Sequence, residues 1–104
     1  MKIFISGKMT GVKDYNFPAF NKAEGELAKL GFEVLNPAST GVIDEWEYKD
    51  YMRASIDMLL DADAIYMLWG WRNSAGATLE HQLASLVGIP VCYQFRPMRF
   101  FSIR

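Results

Sequence analysis

The sequence is poor in several things, and each shortage excludes something. There is one cysteine, Cys92, in 104 residues. A single thiol makes no internal disulfide, so nothing points to an oxidising compartment. There is one histidine, His81, and no cluster of His, Cys and carboxylates with metal-ligand spacing. No serine sits on a GxSxG turn, which removes the usual setting for a Ser-His-Asp triad. Net charge is also scarce: 11 Lys+Arg balance 12 Asp+Glu, leaving −1. The whole chain therefore has no electrostatic reason to bind nucleic acid or an anionic membrane. No apolar run approaches the roughly 18 residues of a membrane span. The opening MKIFISGKMTG lacks the longer apolar core of a signal peptide and reads as a strand. The expected location is the cytoplasm.

What is abundant is apolar surface. Hydrophobic residues make up 51% and aromatics 14%, too much for disorder and generous for so short a chain. Part of this excess is expected in a subunit interface. The length suits one domain, 1–104.

Hydrophobic spacing divides the chain into alternating elements. Lys2 to Ser6 is a β-rich run stopped by Gly7. Asn16-Phe17-Pro18 resembles a helix start with Asn16 as cap, and Phe17, Phe20, Ala23, Leu27 and Leu30 continue at helical spacing to Gly31. Glu33 to Asn36 reads as a second strand and 38–46 as a polar loop. Tyr48, Met52, Ile56 and Leu59 mark a helix over 47–60. Residues 62–69 form a near-continuous apolar run suited to a buried parallel strand. Residues 70–76 read as a loop, 77–87 as a third helix, and 89–93 as a further strand. Gln94 to Arg104, with Arg96, Arg99 and Arg104 among aromatics, reads as an edge strand, a packed tail or an arm onto a partner. This alternation predicts an α/β fold, a three-layer parallel sheet of four to five strands with flanking helices. Ligands in such sheets bind at the carboxyl ends of strands, so the loops 6–15, 36–46 and 69–76 carry the interest.

Ser6-Gly7-Lys8 follows the first strand and can offer backbone N–H groups and a cation to a phosphate, or serve as a plain β-to-α turn. Asp63 leads a buried run and needs partners. In Asn73-Ser74-Ala75-Gly76-Ala77-Thr78-Leu79-Glu80-His81, Ser74 or Asn73 can cap the helix. Helical spacing groups Glu80 with Gly76 and Ala77. A carboxylate there can be a nucleophile or base, or a first-turn Glu favoured by the helix dipole. His81 points about 100° away from Glu80 and reads as packed or exposed. Of the three tryptophans, Trp46, Trp69 and Trp71, the last two flank Gly70 at a strand end and are the candidates for a base pocket; Trp46 reads as core or interface.

KIFISGKMTG, the NFPAFN helix start, Ala62-Asp63-Ala64-Ile65 and NSAGATLEHQLA together resemble a small family of phage and bacterial proteins. That family is similar to nucleoside 2-deoxyribosyltransferases and 2'-deoxynucleoside 5'-monophosphate N-glycosidases. The resemblance spans Met1 to about Tyr93. It implies a flavodoxin-like or Rossmann-like sheet and cleavage, by hydrolysis or transfer, of the N-glycosidic bond of a 2'-deoxyribonucleoside or its 5'-monophosphate. It further implies Glu80 as nucleophile, Asp63 as the proton-handling or orienting residue, and Ser6, Gly7, Lys8, Ser74 and Gly76 on the substrate and phosphate side. Ser74 stands where transferases carry an aspartate and the monophosphate glycosidases a serine. Phe4 stands where relatives usually carry a tyrosine touching the nucleophile, which implies either a less constrained Glu80 and lower activity or substitution by Tyr15 or Tyr66; Gln82 stands where a glycine is frequent. No cofactor or metal is implied. The expected partners are a small nucleoside or nucleotide and further copies of the chain, in a dimer or tetramer whose neighbouring subunits complete the pocket. The alternatives are a nucleotide-binding module of the same fold that has lost catalysis, favoured by Phe4, and an interaction protein working through its apolar tail.

Overall fold

The computed structural model describes residues 1–97. Four strands, β1 (Lys2–Ser6), β2 (Glu33–Leu35), β3 (Ala64–Met67) and β4 (Val91–Tyr93), form one sheet in the order β2-β1-β3-β4. All neighbours are parallel, with Phe4 opposite Leu35 and Ile65, and Ser6 opposite Met67. Three 13-residue helices connect them: α1 (Phe17–Lys29), α2 (Tyr48–Leu60) and α3 (Ala75–Val87). The chain leaves β1 on one side for β2 and returns on the other for β3. The strand order thus switches at β1, where a parallel sheet opens a crevice at its carboxyl end.

The period-2 alternation of β1 sorts the core into two layers. Ile3 and Ile5 pack with Phe20, Ala23 and Leu27 of α1. Phe4 turns to the opposite face, among Leu59 of α2, Ala77 and Ala84 of α3, and Ile65, Met67 and Val91. Each β1 residue from Ile3 to Ser6 is buried, which explains why the strand shows no polar alternation.

Several local expectations change. The run 62–69 yields a strand only over Ala64–Met67; Leu68 still donates its N–H to the Ser6 carbonyl at 2.8 Å, whereas Trp69 turns out to solvent and is 76% exposed. Residues 37–40 of the presumed loop region form a 3₁₀ turn, started by Asn36, whose side chain accepts from the Ala38 N–H. Asn16 does not cap α1. It lies in the left-handed region at φ 62°, and its amide donates to the Lys8 carbonyl at 2.9 Å. Asp14 and Tyr15 share that conformation, both at φ 53°, which costs a residue with a Cβ about 1–2 kcal/mol. Ser74 does cap α3, its hydroxyl accepting from the Ala77 N–H. Of the tail expectations, residues 98–104 with Arg99 and Arg104 lie outside the described residues.

Candidate active site

The site is the end of the core stripe. Ser6 shares a strand face with Phe4, so it points toward α2 and α3 at the carboxyl end of β1. Ser55 lies one helical turn before the fully buried Leu59, and Glu80 lies midway between Gly76 and the buried Ala84. The three side chains meet. The Ser6 hydroxyl donates to Glu80 Oε1 at 2.6 Å and the Ser55 hydroxyl to Oε2 at 2.6 Å. Glu80 is 4% exposed and Ser6 1%. Burial pushes the Glu80 carboxyl above its ordinary value of 4.5, and the two hydroxyls, by favouring the anion, hold back part of that rise.

Above Glu80 opens a cleft of about 940 Å³, within the range of small-molecule sites. Its lining includes Ser6, Gly7, Lys8, Ser74, Gly76 and Glu80, so six of the nine residues singled out from sequence converge. Lys8 is the one basic residue among the described lining residues. Gly7 and Gly76 are explained by packing as much as by ligand approach. A Cβ on Gly7 would come within 2.9–3.2 Å of the buried Leu68 side chain, and one on Gly76 would meet the Tyr48 hydroxyl at 2.8 Å and Met52 sulfur at 3.0 Å.

The other three do not reach the cleft. Asp63 sits at the amino end of β3, where its carboxylate accepts from the Lys2 N–H at 2.8 Å and its own N–H donates to the Lys2 carbonyl. Four residues of strand, about 13 Å, separate it from Met67 beside Ser6. Its buried-run partner is thus backbone. Trp71 is buried between His81 of α3 and Arg72, stacked on the His81 ring at 4.3 Å and 15°, with the Arg72 guanidinium over its ring at 4.7 Å. Trp69 is out on the surface against Phe95, 6.1 Å away. The expectation of a base pocket at Trp69 and Trp71 is therefore corrected: the rings lining the cleft are Tyr15, Phe17, Phe20, Trp46, Tyr48 and Tyr51. Nor does a tyrosine replace the hydroxyl absent from Phe4. Phe4 lies in the core, Tyr66 packs on the α1 face, and the hydroxyls on Glu80 are those of two serines.

Ser55, Trp46 and Tyr51 were missed from sequence. Ser55 had a signal, a small polar residue on the Tyr48–Met52–Leu59 stripe. Trp46 had none, because its place depends on how residues 41–46 fold back on α2. His81 is packed, with Nε2 2.8 Å from the Tyr93 hydroxyl; burial and then Arg72 depress its pKa below 6.5. Among the described residues no group of three or more His, Cys, Asp and Glu could hold a metal ion, and no helix is long and apolar enough to cross a membrane.

A family model described as a domain of unknown function, DUF4406, matches residues 1–93. The chain belongs to that family. A search of curated proteins found no match for this DUF4406 domain. Among solved structures it is similar to the 2-deoxyribosyltransferase of the psychrotolerant bacterium Bacillus psychrosaccharolyticus. The TM-score is 0.72 at 16% identity, covering 95% of this chain and 77% of that one. It is also similar to a conserved protein from Enterococcus faecalis V583, with a TM-score of 0.68 at 20% identity, covering 89% of this chain and 62% of that one. The DUF4406 domain thus has the fold of a 2-deoxyribosyltransferase and spans 77% and 62% of the two neighbours' lengths.

Proposed function

We propose that this DUF4406 domain cleaves the N-glycosidic bond of a 2'-deoxyribonucleoside or its 5'-monophosphate, with Glu80 as nucleophile. The observation that carries the reading is the Glu80 carboxylate. It is buried at the strand-order switch, held at both oxygens by hydroxyls, and opens onto a cleft of nucleotide size. Heterolysis at the anomeric carbon develops oxocarbenium character, which an adjacent carboxylate stabilises or traps as an ester. In the trapping step a Glu80 oxygen bonds to C1', and the glycosidic electron pair leaves with the base, which takes up a proton from solvent water in the cleft. Water, or the nitrogen of an acceptor base, then displaces the Glu80 carboxylate from C1' and gives up its own proton to solvent, so that no net proton is consumed. Asp63 is too far away to supply that proton. The two serines aim the carboxylate and favour its charged, nucleophilic form.

Ser74 at the α3 N terminus, together with Lys8, favours a 5'-phosphate: the first N–H groups of a helix and a lysine suit an anion. A substrate 5'-phosphate is accordingly the favoured form of the ligand. A homo-oligomer belongs to the same reading, and Leu79, Leu86 and Val87, exposed on the outer side of α3, supply apolar surface for it.

The test is incubation with a panel of 2'-deoxyribonucleosides and their 5'-monophosphates, with and without an acceptor base, following free base by chromatography. Release that vanishes in Glu80→Ala is the expected result. Binding without release would indicate a nucleotide-binding module, and absence of both would sink the reading.

A further inference from the structure

Residues 41–46 form a strap along one wall of the cleft. The Tyr51 hydroxyl, reaching from α2, accepts from the Ile43 N–H at 2.9 Å and donates to the Ile43 carbonyl at 3.1 Å. This pair of hydrogen bonds to a single residue fixes the middle of the strap. Gly41 and Glu45, at φ 69° and 71°, turn the chain at its two ends, and Glu45 adopts there a conformation unfavourable for a residue with a Cβ. At the strap's foot, Asp50 accepts from the Glu47 N–H at 2.8 Å and closes a capping box on α2. What this arrangement presents is Trp46. Its ring meets Tyr51 edge-on, with centroids 5.0 Å apart and planes at 70°. Trp46 is 36% exposed and lines the same cleft as Glu80. A perpendicular contact with Tyr51 leaves indole surface uncovered. Strain and hydrogen bonds spent on holding a half-open tryptophan at a cleft wall are characteristic of a ligand contact.

We infer that Trp46 is the platform on which the nucleobase stacks and that Tyr51 is the positioning residue that holds it there. This rests on the function proposed above and assigns the base end of that cleft. The base lies against the indole, and the sugar reaches toward Glu80. Because stacking accepts any π-face, the platform supplies affinity for the base and little choice among bases.

The experiment uses the Glu80→Gln protein, which binds without consuming its ligand, and titrates it with 2'-deoxynucleoside 5'-monophosphates and with 2-deoxyribose 5-phosphate, which has no base. Calorimetry gives the affinities and tryptophan fluorescence reports on the ring. Nucleotides are expected to quench fluorescence, and equally so when Trp69→Phe is added. Trp46→Ala is expected to weaken nucleotide binding about tenfold or more while leaving 2-deoxyribose 5-phosphate unchanged, with Trp46→Phe recovering much of the loss. Base stacking of about 1–3 kcal/mol underlies that figure. In the protein with Glu80 intact, Tyr51→Phe keeps the ring but removes both Ile43 bonds, and it should raise KM with kcat within about twofold. Equal weakening of both ligands by Trp46→Ala, or of neither, would overturn the platform while leaving the glycosidase reading intact. Loss of kcat rather than affinity in Tyr51→Phe would overturn its positioning role. If neither ligand binds and the unmutated protein releases no base, the function proposed above fails, and the platform with it.

Discussion

Replacing Glu80 by Gln is expected to stabilise the protein at neutral pH while abolishing base release. Ionised Glu80 offers roughly four acceptor sites, and two are filled, by Ser6 and Ser55. The remainder lose water without compensation, which is why burial dominates its raised pKa. Glutamine fits the same space, accepts from one serine and donates to the other, and carries no charge. Relief of functional-site cost of this kind is typically about 0.5–2 kcal/mol, and about 1 kcal/mol moves Tm by about 4–8 °C in a domain of this size. The pH dependence follows from the direction of the shift. A carboxyl whose native pKa lies above its unfolded value of 4.5 binds its proton more tightly when folded. Its contribution is fully present below 4.5 and is lost as pH rises through the native pKa. Urea unfolding of both proteins between pH 4 and 8 should therefore give matching stabilities at the acid end. A gap in favour of Glu80→Gln should open upward and level off above the native pKa. A variant less stable than the parent at pH 7, or a gap independent of pH, would refute the picture of a costly buried anion.

Three further outcomes follow from the same geometry. Gly7→Ala forces a Cβ against Leu68 atoms at 2.9–3.2 Å, including Leu68 Cβ, which a rotamer change cannot move; a loss of about 1–3 kcal/mol in chemical denaturation is expected. Ser74→Ala removes the α3 cap and should cost about 1 kcal/mol, with a rise in KM for monophosphates but little change for unphosphorylated nucleosides. His81, whose pKa is depressed by burial and Arg72, contributes stability that is present above its unfolded value of 6.5 and falls as pH drops toward its native pKa. His81→Asn should flatten the melting profile in that window, and an unchanged profile would show that the Trp71–His81 stack does not sense protonation.

The way Glu80 and Asp63 part company shows how sequence and structure divide the work. Both were carboxylates at the border of an apolar segment, and local spacing could not separate them. The direction of the strands did: a parallel sheet places the end of β1 and the start of α3 on one side and the start of β3 on the other. Ser6 was visible as the residue before a turn, but its bond to Glu80 needed the alternation that puts Ser6 on the face of Phe4. The tryptophans show the converse. Trp69 and Trp71 bordered a promising loop, yet one faces solvent and the other stacks on His81, because residues just past a strand are aimed by local turns rather than by the sheet.

What the amino-acid sequence by itself determined was the alternation of strands and helices, the parallel sheet it entails, and the short runs around Ser6 and Ser74–Glu80 that end up at its carboxyl edge. These follow from hydrophobic period and turn residues, which act over a few positions. What only the tertiary structure decided was which side chains share a wall. Ser55 closing the second oxygen of Glu80, and Trp46 reaching the cleft through a strap pinned by Tyr51, depend on packing between segments far apart in the chain. No local period encodes such contacts.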